Sequence, residues 1–192
     1  MGNRLTQIAT RTGDNGTTGL GDNTRVSKDN LRVHAMGEVD ELNAVLGLLA
    51  VHCPDTPEKA LLHTIQNDLF DLGADLCVPQ AEGEDPAMVL RMTEPQYLRL
   101  ERAIDRLNDH LQPLRSFILP GGTPAAAYLH LARTMCRRAE RLMIELRDQP
   151  GEEVTPEAIQ YVNRLSDFLF VASRFQNDKG AGDVLWVPGQ NR

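Results

Sequence analysis

Apolar residues recur along most of the chain at spacings of three and four, the period of a helix with one buried face. The first such stretch runs from about residue 30 to residue 51, and the second begins near Pro57. The third begins at Thr93, where Gln96 completes a capping box that satisfies backbone donors at a helix start. These stretches predict three amphipathic helices that share one core.

Two more helices are predicted by their first residues. Thr123-Pro124 and Thr155-Pro156 each place a threonine N-cap before a proline, whose missing N–H is harmless at the first helical position. Helix five is apolar almost all round, which places it centrally or at a subunit interface. No run of alternating β-branched residues competes, so we predict an all-α fold, a five-helix bundle with a ferritin-like up-down arrangement. The buried face of helix four is predicted to comprise Tyr128, Leu131, Met135, Ala139, Leu142 and Leu146.

The first 29 residues break this pattern. They are rich in glycine and threonine and show no sustained period, so they predict an ordered loop or an extended arm. Because there is no repeat and no linker, we predict that the 192 residues form a single domain. It consists of an arm (residues 1–29), a helical bundle (30–180) and a C-terminal tail (181–192), with a polar surface loop at 80–85.

Composition restricts the class of ligand. A net charge of −7 argues against nucleic acid as a partner, because a phosphate backbone needs a basic surface. Cys53, Cys77 and Cys136 lack CxxC spacing and are predicted to be buried free thiols in a reducing compartment. We find no signal or transit peptide pattern, and no apolar run approaches the ~20 residues of a membrane span. The expectation is a cytoplasmic protein with no membrane contact.

The densest chemical signal is the segment TRTGDNGTTGLG at residues 10–21. Closely spaced glycines allow several backbone N–H groups to converge on an anion, and threonine hydroxyls add further donors. Lys28, with Arg11 and Arg25 nearby in sequence, can add positive charge. The segment matches neither a Walker A loop nor a dinucleotide fingerprint. A phosphate cradle and a plain glycine-rich surface loop therefore both remain open.

Helix four carries a second signal. Arg133, Arg137 and Glu140 project onto one stripe, roughly opposite the predicted apolar face of the helix. Such a stripe is either a solvated surface or part of a binding site. Asp40 projects away from the apolar face of helix one. A pairing between Asp40 and one of these arginines would therefore cross a subunit interface.

Two further positions allow two interpretations each. Asn163 interrupts the apolar run of helix five, so its amide must bond to a neighbouring helix or to a ligand, since unpaired burial costs ~1–3 kcal/mol. Phe117 and Leu119 precede a Pro-Gly-Gly turn and form either a hydrophobic staple or an apolar surface for a flat ligand. A di-iron carboxylate site is excluded because Glu-x-x-His is absent, and the histidines lack metal-ligand spacing. No protein metal site is predicted.

Six segments together carry a resemblance to a known family. Their motifs include TRTGD, GxxDELN, FxLPGG, RxxCRRAER and NRLSDxL, and they lie at residues 10–16, 28–29, 37–43, 117–122, 133–141 and 163–169. In this order they resemble the ATP:cob(I)alamin adenosyltransferases of the propanediol-utilisation type, over most of the chain. The resemblance implies an all-helical homotrimer with active sites at the subunit interfaces.

The resemblance also implies a role for each matched residue. Arg137 would bind phosphate, Asp40 would pair with Arg133 across the interface, and Phe117 would cover the lower face of the corrin. These four are the implied catalytic residues, and Phe117 is the implied corrinoid contact. The implied ATP-binding residues are Thr10, Arg11, Thr12, Gly13, Thr18, Gly19, Lys28, Arg137, Arg138, Glu140, Arg141 and Asn163.

The implied reaction transfers the 5′-deoxyadenosyl group of ATP to the cobalt of reduced cob(I)alamin, giving adenosylcobalamin and triphosphate. Mg²⁺ accompanies the ATP, and the protein supplies position and electrostatics because cob(I)alamin is itself the nucleophile. A reductase and an adenosylcobalamin-dependent enzyme are the partners that such a reaction suggests. Two other classes stay open: a corrinoid carrier or chaperone without catalysis, and a nucleotide-binding regulatory trimer.

Overall fold

The computed structural model describes residues 9–52, 57–81, 83–85 and 87–192. Its helices follow the predicted order and bounds closely, and the five-helix bundle is confirmed. They are α1 (Leu31–His52), α2 (Pro57–Cys77), α3 (Glu94–Asn108), α4 (Pro124–Arg147) and α5 (Pro156–Gln176). The only strands in this part of the chain are β1 (Thr17–Gly19) and β2 (Arg25–Ser27), which pair antiparallel.

The predicted helix starts are confirmed by their hydrogen bonds. The Thr123 hydroxyl accepts from the Ala126 N–H at 3.1 Å, and the Thr155 hydroxyl accepts from the Ala158 N–H at 3.3 Å. Each bond satisfies one of the N–H groups that a helix N-terminus otherwise leaves without a partner. At the start of α3, the side-chain oxygen of Gln96 accepts from the backbone N–H three residues earlier, at 2.9 Å.

The bundle is arranged around α4 and α5. Helix α4 lies between α1 and α5, α3 packs on the other side of α5, and α2 packs on α1. The predicted central position of α5 is confirmed, because it contributes a continuous series of buried residues, of which Tyr161 and Phe168 have no exposed surface. The predicted buried face of α4 is partly wrong, since Leu131 is 47% exposed.

The actual buried face of α4 is formed largely by small residues. Ala132, Cys136 and Ala139 have no exposed surface, and these short side chains let α1 and α5 approach α4 from both sides. The buried residues of α4 therefore lie to one side of the predicted apolar face. The stripe that begins at Arg133 therefore flanks the core instead of lying opposite it.

A buried aspartate on α2 connects three helices. Asp68 accepts hydrogen bonds from Gln96 Nε2 at 3.1 Å, from Arg99 Nη1 at 2.8 Å and from the Tyr161 hydroxyl at 3.1 Å. Both carboxylate oxygens therefore have partners, on α3 and α5. Burial, and then the Asp68 charge, raises the pKa of Tyr161 well above its usual value, so the phenol stays a donor to the carboxylate.

A second buried aspartate on α2 is paired in the same way. Asp75 accepts from Arg91 Nη1 at 2.9 Å, from the Met92 N–H at 2.8 Å and from the Thr155 hydroxyl at 3.0 Å. It thus links the end of α2 to the chain before α3 and to the start of α5. We call Asp68, Asp75 and the side chains bonded to them the α2 network.

The N-terminal arm contains a hairpin that the sequence did not predict. β1 and β2 pair with Thr18 opposite Val26, and the hairpin is joined to the bundle where the Gly21 N–H donates to the Cys77 carbonyl at 2.8 Å. A Cβ at position 21 would lie 2.6 Å from a methyl carbon of Val78, so this approach requires glycine. The described part of the arm is held at the end of α2.

The C-terminal tail also pairs with the rest of the molecule. Residues 184–187 run antiparallel to residues 116–119, with the Leu119 N–H donating to the Val184 carbonyl at 2.8 Å. Arg174 of α5 holds the start of this segment through Asp183, at 2.8 Å between Nε and a carboxylate oxygen. We call residues 183–187 the C-terminal strap.

Two expectations from composition concern the cysteines and the membrane. Cys136 is fully buried, its thiol donates to the Val162 carbonyl, and burial raises its pKa, so it is an unreactive core residue. Cys77 is a half-buried free thiol, and Cys53 lies outside the described residues. Across the described ranges, no helix is both long and apolar enough to cross a bilayer.

Candidate active site

A cleft of about 520 Å³ opens beside the first half of α4. One wall is the segment that includes residues 114–120, which leads into α4 and carries Phe117. The opposite walls are His130, Arg133 and Arg137 of α4, together with residues 166–170 of α5. A mostly apolar concavity with a few polar groups is the usual form of a small-molecule site.

A tight turn fixes the segment that carries Phe117. The Asn177 side-chain oxygen accepts from the Thr123 N–H at 3.0 Å and lies against Gly122. Gly122 has φ +97°, and a Cβ there would lie 1.9 Å from that oxygen, so only glycine fits. The Pro-Gly-Gly turn therefore attaches the wall of the cleft to the end of α5 and to the N-cap of α4.

Phe117 projects from this wall with 77% of its surface exposed, and Leu119 is 49% exposed. Neither side chain is therefore buried as a hydrophobic staple requires, and the structure favours the apolar-surface interpretation. The C-terminal strap supports Phe117 from behind. The Trp186 N–H donates to the Phe117 carbonyl at 2.7 Å, and the two ring centroids are 6.0 Å apart.

Arg133 lies at the edge of the cleft with its guanidinium 5.9 Å from the centroid of the Phe170 ring. Its Nε atom is buried and has no hydrogen-bond partner. Burial, and then the charge of Arg137, lowers the pKa of Arg133, although an arginine remains charged under any ordinary condition. Arg133 is thus a partly buried cation whose hydrogen-bonding capacity the chain does not fully use.

His130 adjoins Arg133 one helical turn earlier and was not predicted as a site residue. It is 3% exposed, both ring nitrogens lack a partner, and its ring meets Phe170 edge-on at 6.3 Å. Burial, and then the Arg133 charge, lowers its pKa. In the sequence it is a single histidine three residues before the arginine stripe, which by itself does not indicate a site.

Arg137, Arg138 and Arg141 of α4 have different surroundings. Arg137 is exposed at the cleft, and within the described chain its guanidinium has no carboxylate partner. Arg138, one residue on, faces α1 instead, where its guanidinium pairs with Glu38 at 2.5 Å and with Glu41. Arg141 donates to the backbone carbonyl of Arg137 at 3.1 Å.

Asn163 is bonded between two helices, which was the plainer of its two interpretations. Its Nδ2 donates to Glu140 of α4 at 2.9 Å, and its Oδ1 accepts from Arg164 at 2.7 Å. Arg164 in turn donates to Glu101 of α3 at 2.6 Å. A ligand contact at Asn163 stays a prediction.

The arm forms a compact turn with cations around it. Arg25 donates to the Thr12 carbonyl at 2.8 Å and to the Thr17 carbonyl and hydroxyl. A Cβ on Gly13 would lie 3.1 Å from Lys28 Nζ, so the ammonium sits against the glycine turn. Arg11 adopts φ +60°, a conformation that costs a non-glycine residue ~1–2 kcal/mol.

The arm and the cleft of one chain lie in different parts of the bundle. At the start of α1, Arg32 bonds to Glu152 and to the Leu76 carbonyl, so the arm emerges where α2 ends and α5 begins. The cleft lies instead beside the first half of α4 and the middle of α5. None of the residues that line it comes from the described part of the arm.

The structure therefore brings together some of the predicted site residues and separates others. Phe117, Arg133 and Arg137 line one cleft. Asp40 is exposed on α1, and its carboxylate has no hydrogen bond or ion pair among the described residues. Outside the cleft lie Asp40, Arg138, Glu140, Arg141, Asn163 and the predicted arm residues Thr10, Arg11, Thr12, Gly13, Thr18, Gly19 and Lys28.

This combination of bundle, arm and cleft is that of one family. The family model described as cobalamin adenosyltransferase matches residues 8–176, and the chain belongs to that family. The resemblance predicted from the motifs is confirmed.

Relatives with this name are similar over their whole length. The chain is 50% identical to the cobalamin adenosyltransferase of Cupriavidus metallidurans over 190 residues, 97% of each protein. It is 48% identical to the corrinoid adenosyltransferase of Mycobacterium tuberculosis over 193 residues, 100% of this chain and 98% of the relative. A solved structure is also similar: a variant PduO-type ATP:corrinoid adenosyltransferase from Lactobacillus reuteri, complexed with cobalamin and ATP. It has a TM-score of 0.85 and 34% identity, and the match covers 94% of this chain and 99% of that one.

Proposed function

We propose that this protein transfers the 5′-deoxyadenosyl group of ATP to the cobalt of a reduced corrinoid. The observation that carries the proposal is the cleft, which combines the projecting apolar ring of Phe117 with the exposed guanidinium of Arg137. The apolar ring suits a flat macrocycle, and the guanidinium suits a polyphosphate leaving group. Family membership and the relative complexed with cobalamin and ATP support the same reaction.

The complete site is formed by two chains of a homotrimer. Two features support this: the arm lies away from the cleft of its own chain, and Asp40 is an exposed carboxylate on the solvent side of α1. Arg133 offers a guanidinium whose Nε has no partner in its own chain. Asp40 of one subunit would pair with Arg133 of the next, and the arm of the first would then cover the neighbouring cleft.

The reaction transfers one group and no proton. The cobalt(I) of the substrate supplies both electrons of the new Co–C bond, the C5′–O bond of ATP breaks, and triphosphate leaves. No general base is required. The protein holds C5′ above cobalt and neutralises the charge that develops on the leaving group, which is where fixed cations contribute most.

The cationic groups have separate places in this scheme. Arg137 contacts phosphate at the cleft, while Lys28 and the N–H groups of the glycine turn enclose the triphosphate from the arm of the adjacent subunit. Mg²⁺ enters with its substrate ATP. Among the described residues there is no group of three or more His, Cys, Asp or Glu side chains that could hold a metal ion, so phosphate oxygens and water would supply its ligands.

Phe117 acts on the corrinoid and not on ATP. Its ring, which contacts Trp186, would lie where a lower axial ligand of the corrinoid otherwise binds, and would keep water from the cobalt. A Co(II) corrinoid without a lower ligand is easier to reduce to the nucleophilic Co(I) form. The chain then makes Co(II) easier to reduce by keeping a lower ligand away from the cobalt, while a separate reductase supplies the electron.

One assay tests the proposed function. Purified protein is mixed with ATP, Mg²⁺ and chemically reduced cobalamin, and the absorbance change of Co–C bond formation is followed over time. We expect catalytic turnover with stoichiometric release of triphosphate. Corrinoid binding without turnover would identify a carrier, and ATP binding without any cobalamin spectral change would identify a regulatory protein; either result contradicts the proposal.

A further inference from the structure

The strongest unexplained feature of the cleft is the imidazole of His130. His130 lines the cleft, only 3% of its surface is exposed, and neither ring nitrogen has a hydrogen-bond partner. Buried polar groups in native proteins are nearly always paired, and each exception calls for an explanation. The catalytic scheme above gives this side chain no role.

The surroundings of His130 define what could pair with it. Burial and the neighbouring Arg133 charge keep the ring neutral, so one nitrogen donates and the other accepts. Phe170 closes the wall with its ring edge-on to the imidazole. The wall therefore holds one donor and one acceptor beneath an apolar surface, and a ligand group reaches them only when the side chains that cover the imidazole move.

A primary carboxamide matches this pattern. It accepts through its carbonyl oxygen and donates through its NH₂ group, whereas phosphate and carboxylate only accept and would leave the accepting nitrogen of a neutral imidazole unpaired. The corrin ring of cobalamin carries several acetamide and propionamide side chains around its rim. An edge of the ring that enters the cleft past Phe117 would bring such an amide toward α4.

We propose that His130 is a specificity-determining residue that hydrogen-bonds a peripheral amide of the corrinoid and so favours amidated corrinoids over their carboxylate precursors. The proposal rests on the proposed function, because it places the corrin in this cleft. It is independent of the chemistry at cobalt. His130 acts on binding and orientation of the macrocycle, and ATP is bound elsewhere in the site.

Two substitutions of similar size separate hydrogen bonding from shape. His130→Gln keeps one donor and one acceptor on an unbranched chain, and His130→Met keeps an unbranched chain with almost no hydrogen-bonding capacity. Both residues are good helix formers, so neither disturbs α4. His63→Gln, at an exposed position on α2, is the matched control for loss of a histidine.

The affinities for cob(II)alamin in the presence of ATP, and for ATP alone, are measured by titration. We expect His130→Met to weaken cobalamin binding by about tenfold, the equivalent of one good hydrogen bond, with unchanged ATP affinity. His130→Gln should keep most of the affinity, and the control should bind as the wild type does. A cobalamin whose rim amides are hydrolysed to acids should bind the wild type more weakly, and His130→Met should not discriminate.

Thermal unfolding distinguishes this role from a structural one. Because His130→Met removes two unpaired buried nitrogens, it should melt at or above the wild-type temperature while binding cobalamin more weakly. A lower melting temperature with unchanged cobalamin affinity would show that the imidazole is held internally, through water, and would overturn the proposal.

The remaining outcomes are equally decisive. Equal losses of cobalamin affinity in the Gln and Met variants would make shape the cause and overturn the amide assignment. A parallel loss of ATP affinity would do the same. If the wild type bound no corrinoid, the proposed function itself would fail. If the wild type and His130→Met bound cobalamin equally well, only the proposal for His130 would fail.

Discussion

Two groups of buried polar side chains in this bundle differ in whether they have hydrogen-bond partners. In the α2 network, Asp68 and Asp75 each accept three hydrogen bonds, from α3, from α5 and its N-cap, and from the chain before α3. At the cleft, His130 and the Nε of Arg133 are as deeply placed but have no partner. The first group is complete in the single chain, and the second is not.

The difference separates groups that stabilise the fold from groups that await something else. An unpaired buried polar group costs ~1–3 kcal/mol. In the described part of the chain four buried side-chain atoms lack a partner, and three of them, the two His130 nitrogens and the Arg133 Nε, lie at the cleft; the fourth is the Oδ1 of Asn43 on α1. Sites for ligands and for partner subunits are where such local costs concentrate. Substitutions in the α2 network should therefore change stability, and substitutions at the cleft should change binding, catalysis or assembly.

The largest expected effect is on catalysis. Arg137→Ala should lower kcat by about 100- to 1000-fold, the loss typical of one fixed group that stabilises charge in the transition state. Because Arg137 is exposed, its removal leaves no cavity, and the melting temperature should not change. Steady-state kinetics measure the first quantity and calorimetry the second. Arg102→Ala, exposed on α3, is the matched control; normal kcat in Arg137→Ala would remove this residue from the site.

Assembly should show the next largest effect. If Asp40 pairs with Arg133 of the adjacent subunit, Asp40→Asn leaves that guanidinium buried without its counter-charge, at a cost of ~3–5 kcal/mol for a dry pair. Trimers should then dissociate at higher protein concentration in sedimentation experiments, and activity should fall with them. Asp109→Asn, also at an exposed aspartate, should do neither. A stable, fully active Asp40→Asn trimer would make Asp40 a solvated surface charge.

The α2 network supplies the opposite test. Asp68→Asn removes the charge that Arg99 and Tyr161 bond to, and it should lower the free energy of unfolding by ~1.5–3 kcal/mol, the range for hydrogen bonds to a charged group. Activity per folded molecule should stay within about twofold of the wild type, because no cleft residue is touched. Urea unfolding and kinetics on the same sample measure both. A stable Asp68→Asn protein with low activity would abolish the contrast between the two groups.

The same contrast explains how much could be predicted from the sequence. The helices were predictable because their signals are local: Thr155-Pro156 marks a helix start with two adjacent residues, and apolar spacing marks the face behind it. The hairpin of the arm and the pairing of the C-terminal strap were not predictable, because a strand of three residues is too short to show an alternating apolar pattern. Partners such as Ile118 and Leu185 are also far apart in the chain.

The site shows the same limit. Phe117 and Arg137 were predictable from motifs, since each stands in a segment that also has its own sequence signature. His130 was not, because a single histidine in a helix has no signature, and only the fold buries both its nitrogens without partners. Trp186 was missed because its proximity to Phe117 depends on the return of the strap.

A smaller effect is expected on the apolar side of the cleft. Phe117→Ala should leave cob(II)alamin bound in the presence of ATP but should remove most of the spectral signature of the four-coordinate species. Adenosylation driven by a weak reductant should then fall about tenfold more than adenosylation of pre-reduced cob(I)alamin, equivalent to ~1.4 kcal/mol at the reduction step. Leu131→Ala, exposed on α4 and outside the cleft lining, controls for loss of surface apolar area. Equal losses in both reactions would assign Phe117 to binding or folding.

The smallest expected effect is a pH dependence of stability that belongs to His130. Burial, and then the charge of Arg133, places the pKa of His130 in the folded protein below its usual value of about 6.5. As pH falls through about 6.5, the unfolded chain takes up a proton that the folded chain still refuses, so unfolding is favoured and stability decreases. The decrease continues until pH passes the lowered folded-state pKa. His130→Met lacks this linkage, so unfolding free energies measured between about pH 7.5 and about pH 5 should fall less steeply for it than for the wild type. Parallel pH profiles for the two proteins would mean that the imidazole takes up its proton as easily in the fold as in water, and the cleft would then lose its clearest difference from the paired interior of the α2 network.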